Sequence, residues 1–323
     1  MERPIITISH ESDAHIELVE RHLDQPMVVI DPTATAKDSD SELSYEFMDG
    51  NDRLIYKGED VSDAVSVWFR KPQSFEKDEL PIAEKHKDYS MSALQKHSKQ
   101  LHAQLPEAFW VSDYYAIQRA NNKTLQYKLA HEIGMNVPDT LMTTNEAAAS
   151  EFLSRYPATI IKTLATFFTT NDNDDPLAFF ARKVHRGEKI DLSGLNFAPA
   201  VFQEAIDAAV DVRVTVVGDR AFSTLISTAG ISNEGVRDWR AGHFEGTMEF
   251  EVCDDLPSFV TDACIEHVRR LGLQYGAIDL VIAKDGTIWF LENNPNGQWG
   301  FVEQMTGQPI GKAMADLLQS GQR

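Results

Sequence analysis

The 323-residue sequence contains only two cysteines, Cys253 and Cys264. They cannot build a disulfide framework and match no zinc-ligand spacing, so both read as buried bystander thiols of a chain kept in a reducing cytoplasm. Basic charge is also scarce: 30 Lys and Arg stand against 50 Asp and Glu, a formal charge of −20. Such a surface repels a phosphate backbone and an anionic bilayer, which argues against nucleic-acid or membrane partners but not against a small polyanion in a locally basic cleft. No stretch approaches the roughly 18 apolar residues of a membrane span. The segment from Met1 to His22 lacks the apolar core and small-residue cleavage site of a signal peptide. Metal-binding histidine clusters are missing too. His10, His15 and His22 near the start, and His86, His97 and His102 on a charged segment, read as solvated helix positions. There is no internal repeat and no low-complexity tract.

What remains is the composition of an ordinary folded protein, 42% hydrophobic and 25% charged, with length for two or three domains. Ile5–Ser9 reads as a strand, Ser12 as the N-cap of a helix reaching Leu23, and Met27–Ile30 as a second strand, a βαβ opening that favours a parallel sheet. Leu43–Met48 and Arg53–Lys57 flank the turn Asp49-Gly50-Asn51-Asp52. Val65–Phe69 is a further strand, and about 82–105 is a charged helix. One helix runs from Ser112-Asp113 through Arg119, Lys123 and Gln126 to a stop at Gly134. A helix over about 145–156 precedes the strand Ala158–Lys162, and Thr166–Asp175 reads as a mobile loop. Strands follow at Val201–Ile206, Asp211–Val217, Ala221–Ser227, Ala277–Ala283 and Thr287–Glu292, with helices at Ser258–Leu271 and about 310–318.

The most informative stretch runs from Tyr275 to Trp299. If Asp285-Gly286 is a two-residue hairpin turn, Lys284 faces Thr287, and counting back places Asp279 opposite Glu292. Asn294 lies two residues on and shares their face. Opposed like charges destabilise a sheet unless a cation sits between them. Two carboxylates and an amide oxygen are hard ligands suited to magnesium. The plain alternative is a solvated strand end with an incidental acidic pair, which the apolar surroundings on both strands disfavour.

This block, LENNPNGQW, resembles the metal-binding end of the ATP-grasp superfamily, and further matches follow upstream in order. Lys123 in NNKTLQ and Lys162 in TIIKTL resemble the two nucleotide-binding lysines. FQEAI, with Gln203, Glu204, Ala205 and Ile206, resembles the hinge that reads adenine through backbone groups. Asp211-Val212-Arg213 resembles the DxR strand, and Asp238-Trp239-Arg240 adds a second arginine. With WFRKP (Trp68 to Pro72), the set is most similar to the microviridin-type, or graspetide, peptide-maturing ligases. The similarity is diffuse over the N-terminal third and continuous from about Trp110.

The resemblance implies a mixed α/β (α+β) ATP-grasp fold. Its expected parts are an N-terminal α/β domain over 1–117, a central lid region over 118–200, and a C-terminal sheet domain over 201–323 holding the metal site. It implies ATP and Mg2+ as cofactors, with Asp279, Glu292 and Asn294 as metal ligands. Lys123, Lys162, Gln203, Glu204, Ala205, Ile206 and Asp211 would hold the nucleotide, and Arg213 and Arg240 would stabilise charge on the transferring group. It also implies a ribosomal precursor peptide with a leader as substrate. Asp or Glu side chains of that peptide would be activated as acyl phosphates and joined to Ser or Thr hydroxyls or Lys amines. A homodimer is common among enzymes of this kind. One departure concerns Thr163–Asp175, which contains no glycine where many ATP-grasp enzymes carry a glycine-rich phosphate loop. Thr169 and Thr170 there either offer hydroxyls or sit on a plain surface loop. Arg70 and Lys71 either greet an acidic peptide, cap a helix or line a domain interface. Two other functions fit the same residues: a carboxylate–amine ligase resembling the ribosomal-protein glutamate ligases, and an ATP-binding regulatory protein without turnover.

Overall fold

The computed structural model describes residues 3–34, 42–72, 77, 80–164, 168–170, 176–178, 181–228 and 248–321. Near the N-terminus the apolar strand Ile5–Ser9 is buried along its whole length, as a strand covered on both faces must be. It pairs in parallel with Met27–Ile30 and with Ser66–Lys71, which in turn pairs in parallel with Phe109–Val111. The first helix is Ala14–Glu20, and its N-cap is Asp13 rather than Ser12. The Asp13 carboxylate accepts from the His15 backbone N–H, a bond the Ser12 side chain does not make. Helix Ile310–Ser320 returns from the far end of the chain to this sheet. Ile310, Met314 and Leu318 share one core with Ile5, Ile16, Val19 and Trp68.

Leu43–Met48, Asn51–Tyr56 and Glu59–Asp60 form a small antiparallel sheet. Its first turn is the two residues Asp49-Gly50, both at positive φ, so Asn51 and Asp52 already belong to the second strand. The charged helix spans Glu84–Gln104. The expected single helix beyond Ser112 is two, Tyr114–Ala120 and Lys123–Ile133. Asn122 divides them: its side-chain oxygen accepts from the Leu125 N–H, capping a new helix whose first residue is Lys123.

The central sheet is antiparallel, in the order Arg182–His185, Ala158–Thr163, Ala200–Glu204, Thr140–Thr143. Helix Glu146–Arg155 packs Ala149 and Phe152 against its Phe202. Part of the segment expected to be a loop forms strand Phe168–Thr170, paired with Pro176–Ala178. The β-favouring Phe-Thr-Thr run is short and set among Asn and Asp, which hid it from pattern reading. The C-terminal sheet has five antiparallel strands in the order Met248–Val252, Arg220–Thr228, Ala208–Val217, Tyr275–Ala283, Ile288–Asn294. Alternation divides its faces. Val212, Val214, Val216, Ile278 and Leu280 pack on Val260, Cys264 and Val268 of helix Ser258–Arg270. On the other face Val217, Tyr275 and Ala277 join the core under helix Ile310–Ser320, and charged residues follow. Among the described residues, no helix is long and apolar enough to cross a membrane.

Candidate active site

The C-terminal hairpin opposes Asp279 to Glu292, as expected, but by a different route. The turn has three residues, Lys284 to Gly286: the Ala283 N–H donates to the Thr287 carbonyl, and Gly286 takes φ +85°. That shift alone would break the expected register, with Leu280 pairing Phe290. A bulge beyond this pair absorbs one residue and restores it at Asp279 and Glu292. Asn294 pairs with Ala277 on the same face.

A row of polar side chains crosses the sheet here, through the successive pairs Thr224–Arg213, Arg213–Asp279 and Asp279–Glu292. Arg213 grips Asp279 with two parallel bonds, Nε to Oδ1 at 2.9 Å and Nη2 to Oδ2 at 3.0 Å. Both side chains are buried, 4% and 9% exposed. Glu292 is more open at 23%, and its Oε2 accepts from Lys123 Nζ at 2.6 Å. Asp211 lies on the same strand face as Arg213, opposite Val281.

Lys123 reaches Glu292 because Gln126 fixes the helix to the sheet edge. The fully buried Gln126 amide donates to the carbonyls of Asn293 and Ala120 and accepts from the Asn293 N–H, at 2.8, 2.6 and 2.9 Å. It thereby satisfies both backbone groups that Asn293 presents on the open side of the last strand. Lys123, one turn back on the same helix face, falls beside the preceding strand residue, Glu292. A lysine in the first turn opposes the helix dipole, so its placement serves reach rather than helix stability. The same network buries His267, whose Nε2 lies 3.1 Å from the Gln126 carbonyl. Burial pushes its pKa down to about 4.

The central sheet brings up the second lysine. Lys162 Nζ donates to Gln203 Oε1 at 2.9 Å, and Gln203 Nε2 donates to Thr140 Oγ1 at 3.0 Å. Tyr127, which sequence reasoning missed, joins the two halves. It sits one turn after Lys123, bonds to Gln203, and is pushed up to about 12 by burial and by the Glu292 charge. Its position four residues after Lys123 was the available signal. Burial likewise raises Glu204. The Glu204 and Ala205 N–H groups donate to the carbonyls of Asp139 and Ala158, and the Ile206 carbonyl accepts from Ala208. Backbone recognition by this segment would therefore use other atoms than those two N–H groups.

Beyond Asn294 the chain folds back over the sheet. A Cβ on Gly297 would lie 2.6 Å from that of Ala277, so only glycine permits the approach. The Gly297 carbonyl accepts from the buried Tyr275 hydroxyl at 2.7 Å, and the Gln298 carbonyl from Arg213 Nη1 at 3.3 Å. Arg70 lines this interface, 2% exposed, whereas Lys71 is exposed. His15 corrects the expectation of a solvated histidine. It is 8% exposed and paired with Asp13, and the groups that bury it, Arg70 and the Trp299–Gly300 backbone, are distant in sequence and invisible to local periodicity. Cys264 is buried and Cys253 half-buried, both free thiols. Arg240, with the rest of Asp238-Trp239-Arg240, lies outside the described residues, as does most of Thr163–Asp175. Thr169 and Thr170 are placed only as strand backbone.

No third His, Cys, Asp or Glu joins Asp279 and Glu292 in a metal-binding cluster among the described residues. The donor set nevertheless suits a hard cation: two carboxylates and the Asn294 amide oxygen are all oxygen ligands, presented from one face of the hairpin.

A RimK-like ATP-grasp domain matches residues 120–318, well over half of the chain and every described element of this site. The chain belongs to that family. No curated protein matches its sequence. Among solved structures, a RiPP-associated ATP-grasp ligase of Chryseobacterium gregarium, in complex with ADP and a leader and core peptide, matches with TM-score 0.87 at 22% identity. The match covers 99% of this chain and 98% of that one. Macrocyclase MdnC of Microcystis aeruginosa, bound to precursor peptide MdnA, matches at 0.83 and 23% over 98% and 100%. The ATP-grasp ligase PsnB, complexed with minimal precursor, Mg and ADP, matches at 0.78 and 19% over 99% and 98%. The ATP-grasp fold therefore spans the whole chain, including the N-terminal third where sequence similarity is diffuse.

Proposed function

We propose that this ATP-grasp protein is a peptide macrocyclase. It would activate Asp or Glu side chains of a ribosomal precursor peptide and join them to Ser or Thr hydroxyls, or to Lys amines, within the same peptide. The observation that carries this reading is the full-length agreement with ligases solved on precursor and leader peptides, N-terminal region included, around the row Arg213–Asp279–Glu292–Lys123. The domain limits at 117 and 200 and a homodimeric assembly belong to the same proposal.

The chemistry needs two transfers. A substrate carboxylate attacks the γ-phosphorus of ATP, giving an acyl phosphate and ADP. The hydroxyl or amine then attacks the acyl carbon, phosphate leaves, and the nucleophile's proton passes to solvent. The protein's task is positioning and charge neutralisation more than covalent chemistry. Asp279, Glu292 and Asn294 would hold magnesium, which supplies Lewis-acid neutralisation of the phosphate oxygens when bound. Lys123 and Lys162 would meet the phosphates as point charges. Each now rests on an acceptor, Glu292 and Gln203 respectively. Gln203, Glu204, Ala205, Ile206 and Asp211 would line the adenosine side. Arg213 would hold Asp279 in place and add its positive potential from there, and Arg240 would complete the charge stabilisation.

A second reading, addition of a free amino acid to a carboxylate, stays open because the RimK-like family match does not distinguish acceptors. Mass spectrometry of a candidate precursor peptide after incubation with protein, ATP and Mg2+ separates the two. Cyclisation removes about 18 Da per ring as ADP forms, whereas ligation of an amino acid adds mass. AMP as product would contradict the acyl-phosphate route.

A further inference from the structure

Asn294 is the last residue of strand Ile288–Asn294, and an irregular segment follows it. Its Oδ1 accepts from the Asn296 N–H at 3.1 Å. The next backbone groups are each held by a buried side chain from elsewhere. The Asn296 carbonyl accepts from Arg70 Nη1 at 2.9 Å, Gly297 from Tyr275, and Gln298 from Arg213. The N–H groups of Trp299 and Gly300 then both donate to His15 Nε2, at 3.2 and 3.0 Å. Five consecutive residues are thus fixed by side chains, two of which belong to the N-terminal sheet layer.

Those two are themselves tied together. Two backbone N–H groups can only donate, so Nε2 of His15 is the acceptor and its ring proton sits on Nδ1, 2.7 Å from Asp13 Oδ1. Asp13 Oδ2 accepts from the Ser9 hydroxyl at 3.0 Å and faces Arg70 Nε at 3.4 Å. Arg70 Nη2 lies 3.3 and 3.4 Å from the two nitrogens of the His15 ring. Asp13, His15 and Arg70 are 8%, 8% and 2% exposed, so no substrate carboxylate reaches them. Burying a carboxylate and a guanidinium costs free energy that packing alone would not require. What the cluster gains is one geometry for residues 296–300.

We propose that Asp13, His15 and Arg70 are positioning residues that set the Asn294 side chain at the metal site, by clamping the backbone from Asn296 to Gly300 to the N-terminal sheet. This rests on the assignment of Asn294 to the metal site. It gives the N-terminal third a role in nucleotide–metal binding that its distance in sequence from the ATP-grasp elements does not suggest. Removing groups that orient metal ligands costs 10–100-fold in metal affinity in characterised sites.

The test uses the full chain with ADP and Mn2+, free Mn2+ being followed by electron paramagnetic resonance. His15→Leu, which cannot accept the two N–H groups, is compared with His15→Gln, whose amide oxygen can. Val19→Ala serves as control, a truncation in the core on the same helix. The expected result is Mn2+ affinity of the ADP complex weakened at least about 10-fold in His15→Leu and restored to within about 3-fold in His15→Gln, with metal-free ADP affinity unchanged. Val19→Ala should lower thermal stability without moving Mn2+ affinity. Wild-type Mn2+ affinity in a folded His15→Leu protein overturns the inference. So does an equal loss in Val19→Ala, which would make the cluster a plain stabilising contact. If His15→Leu does not fold, Arg70→Lys gives the same reading, since a lysine cannot serve both Asp13 and the Asn296 carbonyl. A wild-type protein that binds no Mn2+ with ADP instead refutes the metal-site assignment, and this inference with it.

Discussion

Glu292 and Asp279 face each other across two strands, yet they call for different experiments. Asp279 neutralises a buried arginine, so Asp279→Asn leaves a buried guanidinium without its partner and should cost roughly 3–5 kcal/mol of stability. Its loss of activity would then say little about metal binding. Glu292 is partly exposed and paired with an exposed-end lysine, so Glu292→Gln should keep the melting temperature within about 3 °C while ADP formation falls at least 100-fold. Near-wild-type turnover in that variant would remove Glu292 from the metal set. His267 gives a different kind of signal. It stays neutral in the folded protein down to about pH 4, whereas its ordinary value is 6.5. Between those values the unfolded chain binds more protons, so this contribution is fully present above about pH 6.5 and is lost as pH falls toward 4. Its size is of order 3 kcal/mol. Urea unfolding at pH 7 and pH 5 should show the loss, and the difference should shrink in His267→Gln. His15 marks where single-residue reading fails: its partners Arg70 and Trp299 are 55 and 284 positions away. Neither charge nor helical periodicity carries such information.

Among the elements, the hairpin and the helix Lys123–Ile133 do most to assemble the site. The pairing of Asp279 with Glu292 was legible from alternation and the Asp-Gly turn, although the turn is one residue longer and a bulge compensates. Register is strongly specified where one face of a hairpin is buried, so Asp279 and Glu292 stay opposed although the turn is longer. The helix boundary was not legible, because Asn121-Asn122 interrupts an otherwise continuous pattern and only capping geometry reveals it. Gln126 holds this helix to the strand edge. Gln126→Ala leaves the buried N–H and carbonyl of Asn293 unpaired and should cost about 2–5 kcal/mol in urea unfolding. It should also raise the KM for ATP, since Lys123 loses its fixed distance to the sheet. Unchanged stability would mean that water replaces the amide and that the edge is not sealed by it.

At the scale of the whole molecule, the order of motifs along the chain identified the ATP-grasp architecture, and the family match over 120–318 establishes it. The N-terminal third was legible only as a βαβ opening with a parallel sheet. Its connection to the site, through Asp13, His15 and Arg70, depends on contacts that no local pattern encodes. The charge of −20 also acquires a location: basic side chains are gathered at Lys123, Lys162 and Arg213, each held by an acceptor, inside a surface that otherwise repels anions. On the proposed function, an anionic nucleotide would be admitted at this place. On that proposal, this site uses ATP to close rings in a peptide. The decisive experiment is the intact mass of a precursor peptide with Ser or Thr and Asp or Glu in its core, incubated with the protein, ATP and Mg2+. The expected result is a loss of about 18 Da per ring matched by one ADP, abolished by Glu292→Gln. A gain in mass, or ATP turnover with the peptide unchanged, would contradict it.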